Sequence, residues 1–448
     1  MCNVHSTTQY RTALREDLLP PTIEHARQKV LAYRTLYQGI ATPKTLTELV
    51  RLPIIEKSEI QRSILDFRDN SLTTQLIQHT TGTTANPLAI HRSQSEVSFI
   101  ENFYHEVYRQ RRFAATEPAP LVIAATSNSH GQGTPTFYAG PVFTFDPKGS
   151  YQDLKKLICN PASFVGCNSD EAVLTGLEQD LRIVTCRLLE MGFDFTASKI
   201  RTLLSTGNLI TRRLRSWYEG TWRARLFDHY SMTEMLGAGV HCAICGFRHL
   251  EPTVIGEVVN PNTRRSVSTG VGVLLITNLY PFVQEQPFIR YWTGDLVRVG
   301  PPCVVDSLSF ELEGRLSTCT LEYTDDSVDM LISGATVYDI VDDFPDVNSS
   351  RMFVDIEDIS DHSALGKLKF GMELKFDNGL LAIHILLETR YLPYQHSERA
   401  QWLCKKVQEA IIERHPVLKR RLRERRVKIQ CSAVPRGRVK SFLPDWVE

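Results

Sequence analysis

Three short segments place hydroxyls, carboxylates and glycines at spacings that suit phosphate and sugar chemistry. In the first, His79 to Pro87, Thr80, Thr81, Thr83 and Thr84 surround Gly82. Glycine permits a tight turn, while hydroxyls and successive amide N–H groups can enclose phosphate oxygens. The segment lacks the Gly-Lys-Ser/Thr ending of a Walker A loop. The second, Asp228 to Glu234, sets Tyr230, Ser231 and Thr233 close to Glu234. There a threonine can contact phosphate while the carboxylate reaches a hard cation such as Mg2+. The third, Tyr291 to Leu296, carries Gly294 and Asp295, and Arg315 follows downstream. An aspartate at a glycine turn can accept both ribose hydroxyls, and an arginine can add contacts to ribose or phosphate. Taken singly, each segment reads equally well as an ordinary turn.

Between the second and third segments lies His241-Cys242-Ala243-Ile244-Cys245-Gly246-Phe247-Arg248-His249. A Cys-x2-Cys pair with a neighbouring histidine has zinc-ligand spacing but makes only half a tetrahedral site. Three readings stand here: structural Zn2+, buried free thiols, or a catalytic thiol, which would need its own activating base.

The elements that must position these residues show in the apolar spacing. Ile23, Ala26, Val30, Tyr33 and Tyr37 predict one amphipathic helix over Thr22 to Gln38, and helical spacing recurs over 170–191 and, more weakly, 211–219. Leu121 to Thr126 predicts a buried strand, followed by the polar, glycine-containing loop SNSHGQGTP. Val271, Val273 and Leu275 alternate as in a half-buried strand. Beyond Gly314-Arg315 come short alternating strands over 368–376 and 380–387, then a helix with Leu403, Val407, Ala410 and Ile411 on one face. The pattern predicts an α/β fold: a large N-terminal domain over 1–315 with mixed sheets and helices, and a smaller C-terminal α+β domain over 316–448.

Lys plus Arg and Asp plus Glu number 51 each, so no overall field would recruit nucleic acid or an anionic membrane. The first residues have no apolar leader core, and no run reaches the roughly 20 apolar residues of a membrane span. Ten scattered cysteines suit a reducing, cytoplasmic setting better than a disulfide framework. A homodimer is left open.

Together the three segments resemble the adenylate-forming superfamily of acyl-CoA synthetases, luciferases and adenylation domains. The Thr/Gly segment resembles its phosphate loop, Tyr230-Ser231-Met232-Thr233-Glu234 its Tyr-Gly-x-Thr-Glu motif, and Tyr291-Trp292-Thr293-Gly294-Asp295 its Tyr-x-Thr-Gly-Asp motif. Tyr33-Arg34, Leu52-Pro53-Ile54-Ile55-Glu56-Lys57, Ser129 to Thr134 and Asp329 to Tyr338 narrow the resemblance to the phenylacetate-CoA ligase-like branch. The resemblance implies ATP-dependent activation of a small carboxylic acid, aryl or otherwise, as acyl-AMP, with transfer to CoA. It implies ATP and Mg2+ as cofactors, Mg2+ on Glu234, and nucleotide contacts from Ser205 and Gly207 besides the residues above. His130, Tyr138 and Cys167 become candidates for the acid pocket, and Lys440, in Val434 to Lys440, for the catalytic lysine of a mobile C-terminal domain. Some members of the branch carry further cysteines after Thr-Gly-Asp, which brings Cys303, and more weakly Cys319, to Cys242, Cys245 and His249 as a zinc set.

The chain also departs from the pattern. Asn86 stands where the loop usually has lysine, Ser205 to Leu209 replaces the adenine segment and keeps only its glycine, and Gly437 is the nearest glycine to Lys440. The basic run Lys419 to Lys428 is a charged face, or meets the 3′-phosphate of CoA or an acidic carrier protein. Two alternatives therefore remain beside CoA ligation: transfer to an amine or carrier protein, and a catalytically impaired nucleotide-binding relative.

Overall fold

The computed structural model describes residues 7–80, 87–99, 102, 118–126, 141–242, 244–323, 328–350, 367–377 and 380–439. The chain opens on α1 (Thr8–Lys29), whose N-cap Thr7 accepts from the Tyr10 amide. Val30 is extended, and α2 (Leu31–Leu36) follows. The expected single helix is therefore two, and the first begins well before Thr22. The apolar face itself was read correctly, since Ile23, Ala26, Val30, Tyr33 and Tyr37 are all buried. The early turns escaped apolar periodicity because they are held by polar contacts: Arg11 and Arg15 both pair with Asp306. A short helix, α3 (Lys57–Arg62), comes next; Glu56 and Glu59 close its capping box.

The two strands β1 (Thr74–His79) and β2 (Ala89–Ser93) form an antiparallel pair. A five-stranded parallel sheet is built from β3 (Leu121–Ala125), β4 (Val142–Phe145), β5 (Ala172–Leu177), β6 (Ile200–Thr206) and β7 (Arg225–His229), in the order β4-β3-β5-β6-β7. Its core joins helices α4 (Tyr151–Cys159), α5 (Glu178–Glu190) and α6 (Arg212–Trp222). The helical pattern over 170–191 thus begins with a strand, because a strand covered on both faces loses its period-two signature.

An antiparallel sheet follows, with β8 (Gly239–His241), β9 (Arg248–Leu250), β10 (Val254–Val259), β11 (Gly270–Asn278), β12 (Tyr291–Val299) and β13 (Phe310–Arg315) ordered β10-β11-β12-β13-β9-β8. Val271 to Asn278 is buried throughout, so β11 is not half-exposed as its alternation predicted. Leu274 and Ile276 join the core shared with α1 and α2, while Val271, Val273 and Leu275 pack on the other face with Met330.

The hairpin of β14 (Thr320–Tyr323) and β15 (Val328–Ile332) supplies that Met330, yet Leu331 and Ile332 belong to a separate C-terminal core. That core holds α7 (Gly334–Asp342), the pair β16 (Ser349–Ser350) and β17 (Lys367–Leu368), and a sheet of β18 (Phe370–Asp377), β19 (Leu380–Glu388) and β20 (Val427–Val434). The sheet is backed by α8 (Ser397–Arg414) and α9 (Pro416–Arg423); Leu403, Val407 and Ile411 are buried as expected. This C-terminal unit docks through the apolar packing of Met330 and, at a second place, through charge. Asp339 accepts the Arg212 amide at 2.7 Å, and Asp342 accepts the Thr211 hydroxyl at 2.6 Å, so acids of α7 sit at the N-terminus of α6.

Candidate functional site

The parallel strands β6 and β7 end at Thr206 and His229, and the residue after β7 reaches β12 of the antiparallel sheet. Gly207 turns at φ +88°, and Ser205 is fully buried at the end of β6. Tyr230 leaves β7 and crosses to the second sheet, where its hydroxyl donates to Asp295 Oδ2 at 2.7 Å. Asp295 and Arg315 are register partners, and Arg315 Nε lies 3.0 Å from Asp295 Oδ1. Gly294 takes φ +74° in mid-strand, a conformation that favours glycine, and irregular register on either side of this turn re-aims Asp295. The acid holds the Arg315 guanidinium pKa above its ordinary value, while burial and Asp295 push the Tyr230 phenol well up.

Glu234 is buried beside this cluster and accepts from the Tyr291 hydroxyl at 2.9 Å. Burial raises its carboxyl pKa; the Tyr291 bond, Arg315 and Lys57 oppose that rise. The turn carrying it is pinned through backbone carbonyls: Arg92 donates to Thr233 O at 3.0 Å, and Asn278 to Glu234 O at 2.8 Å. Ser231 and Thr233 are half-buried.

Lys57 completes the group, and sequence reasoning gave it no role. It is the first residue of α3, and Ile55 lays that segment against β12 through bonds to Arg290 O and the Trp292 amide. Its ammonium donates to Thr80 Oγ1 at 3.3 Å, and its interaction with Glu234 offsets part of the pKa lowering caused by burial. Thr80 in turn pairs with Leu88 through both its amide and its hydroxyl, joining the two ends of the Thr/Gly segment. Lys57 and Thr80 are 23 residues apart in the chain, so spacing gave no sign of the contact.

Not every expected residue is brought here. Thr81, Gly82, Thr83, Thr84, His130, Tyr138 and Lys440 lie outside the described residues. Cys167 precedes β5 and packs into the core of the parallel sheet, with its thiol toward Ser169 O, so it stands at the opposite end of the strands from Tyr230. The structure does not bring Cys167 to the Tyr230–Asp295 cluster. Proximity to a glycine-rich loop in sequence does not tell which end of a sheet a residue occupies.

A second cluster lies behind the site. Cys242, Cys245, His249 and Cys303 converge, with one ligand atom from each and all of these within 4.8 Å of one another. Cys242 Sγ and Cys303 Sγ are 3.9 Å apart, and two thiolates on one tetrahedral Zn2+ would stand about 3.8 Å apart. Gly246 at φ +76° closes the Cys242–Cys245 knuckle. His249 bonds Leu308 O through Nδ1 and turns Nε2 to within 3.3 Å of the Cys245 sulfur, the ring orientation a ligand needs. The donor set fits zinc. Cys319 lies elsewhere, against Glu313 O and the Gly334 amide. His241 is not part of the set.

No family model matches the chain, and no curated protein matches its sequence. Solved structures do. A 2-hydroxyisobutyryl-CoA ligase in an open conformation, in complex with 2-HIB-AMP and CoA, matches at TM-score 0.64 and 15% identity, over 97% of this chain and 91% of that one. The same ligase in its postadenylation state with R3-HIB-AMP matches at TM-score 0.62 and 14% identity, over 98% and 90%. The fold is that of the adenylate-forming ligases. The Tyr230–Asp295–Arg315 cluster links the parallel sheet to the antiparallel one. Among the described residues, no helix is long and apolar enough to cross a membrane.

Proposed function

We propose that the protein activates a small carboxylic acid with ATP as its acyl-AMP and passes the acyl group to a thiol, with CoA as the acceptor. The observation that carries this is the convergence of Asp295, Arg315, Glu234 and Lys57 at one edge of an adenylate-forming fold. Asp295 has lone pairs left on both oxygens and accepts the ribose hydroxyls, while Arg315 stays as its counter-ion. Tyr230, Ser231, Ser205 and Gly207 border the nucleoside.

Attack of a carboxylate on the α-phosphate makes little covalent demand on protein; it needs neutralisation of the phosphorane and of departing pyrophosphate. Thr80 to Thr84 surround the phosphates, Thr233 donates to them, and Lys57 supplies the cation that Asn86 does not. Glu234 offers one carboxylate, sufficient for Mg2+ because that ion takes its other ligands from phosphate and water. Lys440 enters from the 316–448 unit, which moves relative to 1–315. CoA is favoured because the 2-hydroxyisobutyryl-CoA ligase of the same fold was solved with acyl-AMP and CoA together. Zn2+ on Cys242, Cys245, His249 and Cys303 is structural; all four positions are protein ligands and none is left for water.

The test is ATP–pyrophosphate exchange across phenylacetate, benzoate, nicotinate, 2-hydroxyisobutyrate and acetate, followed by AMP release with and without CoA. Exchange with one of these acids and CoA-dependent release of AMP are expected. ATP binding with no exchange for any acid would overturn the proposal in favour of a nucleotide-binding relative. AMP release that needs an amine or carrier protein would overturn CoA as acceptor.

A further inference from the structure

We propose that Arg92 is a positioning residue for Glu234, fixing the peptide from which that carboxylate projects; this rests on the assignment of Glu234 to Mg2+. Arg92 lies in β2 and is 1% exposed, and its guanidinium is divided between two partners. Nη2 donates to Thr233 O at 3.0 Å, and Nη1 lies 3.5 Å from Glu96 Oε1. Glu96 is buried as well and is held from its other side. Its Oε2 accepts the amides of Gln284 and Glu285 at 3.0 and 2.8 Å.

The turn that carries Glu234 needs such a hold. Tyr230 and Gly239 exchange both backbone bonds, and the residues between them, Ser231 to Ala238, belong to no strand or helix. Side chains from two other strands stand in for a ladder. Thr233 O belongs to the peptide plane that enters Glu234 Cα, and Glu234 O to the plane that leaves it. Arg92 clamps the first, and Asn278, at the end of β11, clamps the second at 2.8 Å. With both planes held, the direction in which the Glu234 side chain leaves the backbone is set. The Tyr291 hydroxyl, at 2.9 Å, then holds its far end.

Thr233 O by itself asks only for a neutral donor, as Asn278 shows for Glu234 O. Burying a guanidinium is costly unless it is paired; burial lowers the Arg92 pKa, and Glu96, Glu234 and Glu285 oppose that fall. What the arginine adds is a link between two parts of the site. β2 starts directly after Leu88, whose amide donates to Thr80 Oγ1 at 2.8 Å. Arg92 therefore ties the strand leaving the Thr/Gly segment to the turn that carries Glu234. A Mg2+ ion shared by a carboxylate and phosphate oxygens tolerates little change in their spacing, because its octahedron is small and rigid. Groups that orient a ligand in this way change metal affinity without touching the ion.

The experiment titrates ATP calorimetrically into full-length protein, once with Mg2+ and once with EDTA. The ratio of the two affinities is the metal's contribution, and no acid substrate is needed. Wild type is compared with Arg92→Lys, Glu234→Gln and the double variant; lysine keeps the charge beside Glu96 but offers one nitrogen in place of two. Arg92→Lys should lower the ratio by about tenfold and leave ATP affinity in EDTA unchanged. In the Glu234→Gln background it should lower the ratio no further, since it acts through that carboxylate. Arg92→Met/Glu96→Gln removes both buried charges and keeps an acceptor for the 284 and 285 amides; it should show the same loss, and it serves if Arg92→Lys does not fold. Equal loss of affinity with and without Mg2+ would overturn the inference, as would additive effects of Arg92→Lys and Glu234→Gln. If Glu234→Gln loses the ratio while neither Arg92 variant changes it, Arg92 alone is refuted. If Glu234→Gln keeps the wild-type ratio, the metal role of Glu234 falls, and the inference with it.

Discussion

Asp295 and Arg315 lie opposite one another on β12 and β13, 3.0 Å apart, and the hydroxyl of Tyr230 reaches the same carboxylate from the parallel sheet at 2.7 Å. One aspartate thus ties the two sheets together at the point where the nucleoside is expected. Its removal takes the carboxylate acceptor of a buried phenol and the counter-ion of a half-buried guanidinium.

Asp295→Ala should therefore weaken ATP binding by about 1.5–3 kcal/mol and also lower thermal stability. Tyr230→Phe, which removes one donor and leaves the ion pair, should cost roughly 1 kcal/mol or less. Calorimetric titration of the folded variants with ATP checks both; an Asp295→Ala protein of unchanged affinity would remove the ribose role.

Glu234→Gln keeps the shape of the side chain and a partner for the Tyr291 hydroxyl but loses the charge. Mg2+-dependent pyrophosphate exchange should fall by at least about a hundredfold. Near-wild-type exchange would take Glu234 out of the metal role.

Lys57→Ala should slow pyrophosphate exchange by about a hundredfold, because the phosphates lose a preorganised cation. Lys57→Ala/Asn86→Lys should recover part of that loss by returning the charge from the loop side. If Lys57→Ala falls by less than about threefold, the ammonium next to Thr80 is a structural contact only.

Elemental analysis should find about one zinc per chain. Cys242→Ser/Cys245→Ser should lose the metal together with thermal stability, because Cys303 then no longer ties its segment to the 242–249 knuckle. That segment also receives α1: Thr8 donates to Cys303 O at 2.6 Å, and Arg15 pairs with Asp306. Metal-free protein of full stability would leave four ordinary thiol and imidazole groups.

His415 joins α8 to α7: its Nδ1 donates to Ile411 O at 2.7 Å, and its Nε2 accepts the Ser333 amide at 3.0 Å. The bond from Ser333 needs the neutral ring, because a protonated Nε2 cannot accept, and burial lowers its pKa below 6.5. The unfolded state binds the proton more readily, so this stability is present above about pH 6.5 and is lost as pH falls toward the depressed folded value. Denaturant midpoints between pH 7.5 and 5 should fall, and His415→Gln should flatten that slope. A wild-type slope in His415→Gln would assign the pH dependence to other groups.

The amino-acid sequence by itself marked the segments whose residue types suit chemistry. The Tyr230–Glu234 and Tyr291–Asp295 segments were legible because glycine, hydroxyl and carboxylate at short spacing satisfy local demands that no partner needs to complete. Cys242, Cys245, His249 and Cys303 were legible as a set for the same reason, with the family resemblance adding the fourth member. Buried apolar faces in α1, α2 and α8 were visible as periodicity. Tertiary structure decided the rest, through contacts between residues far apart in the chain. It placed Lys57 on Thr80, put Cys167 at the opposite end of the parallel strands from Tyr230, and split 170–191 into strand and helix. Spacing records only neighbours along the chain. Which end of a strand a residue occupies, and which distant side chains meet, depends on how two sheets pack, and that is set by burial summed over the whole molecule.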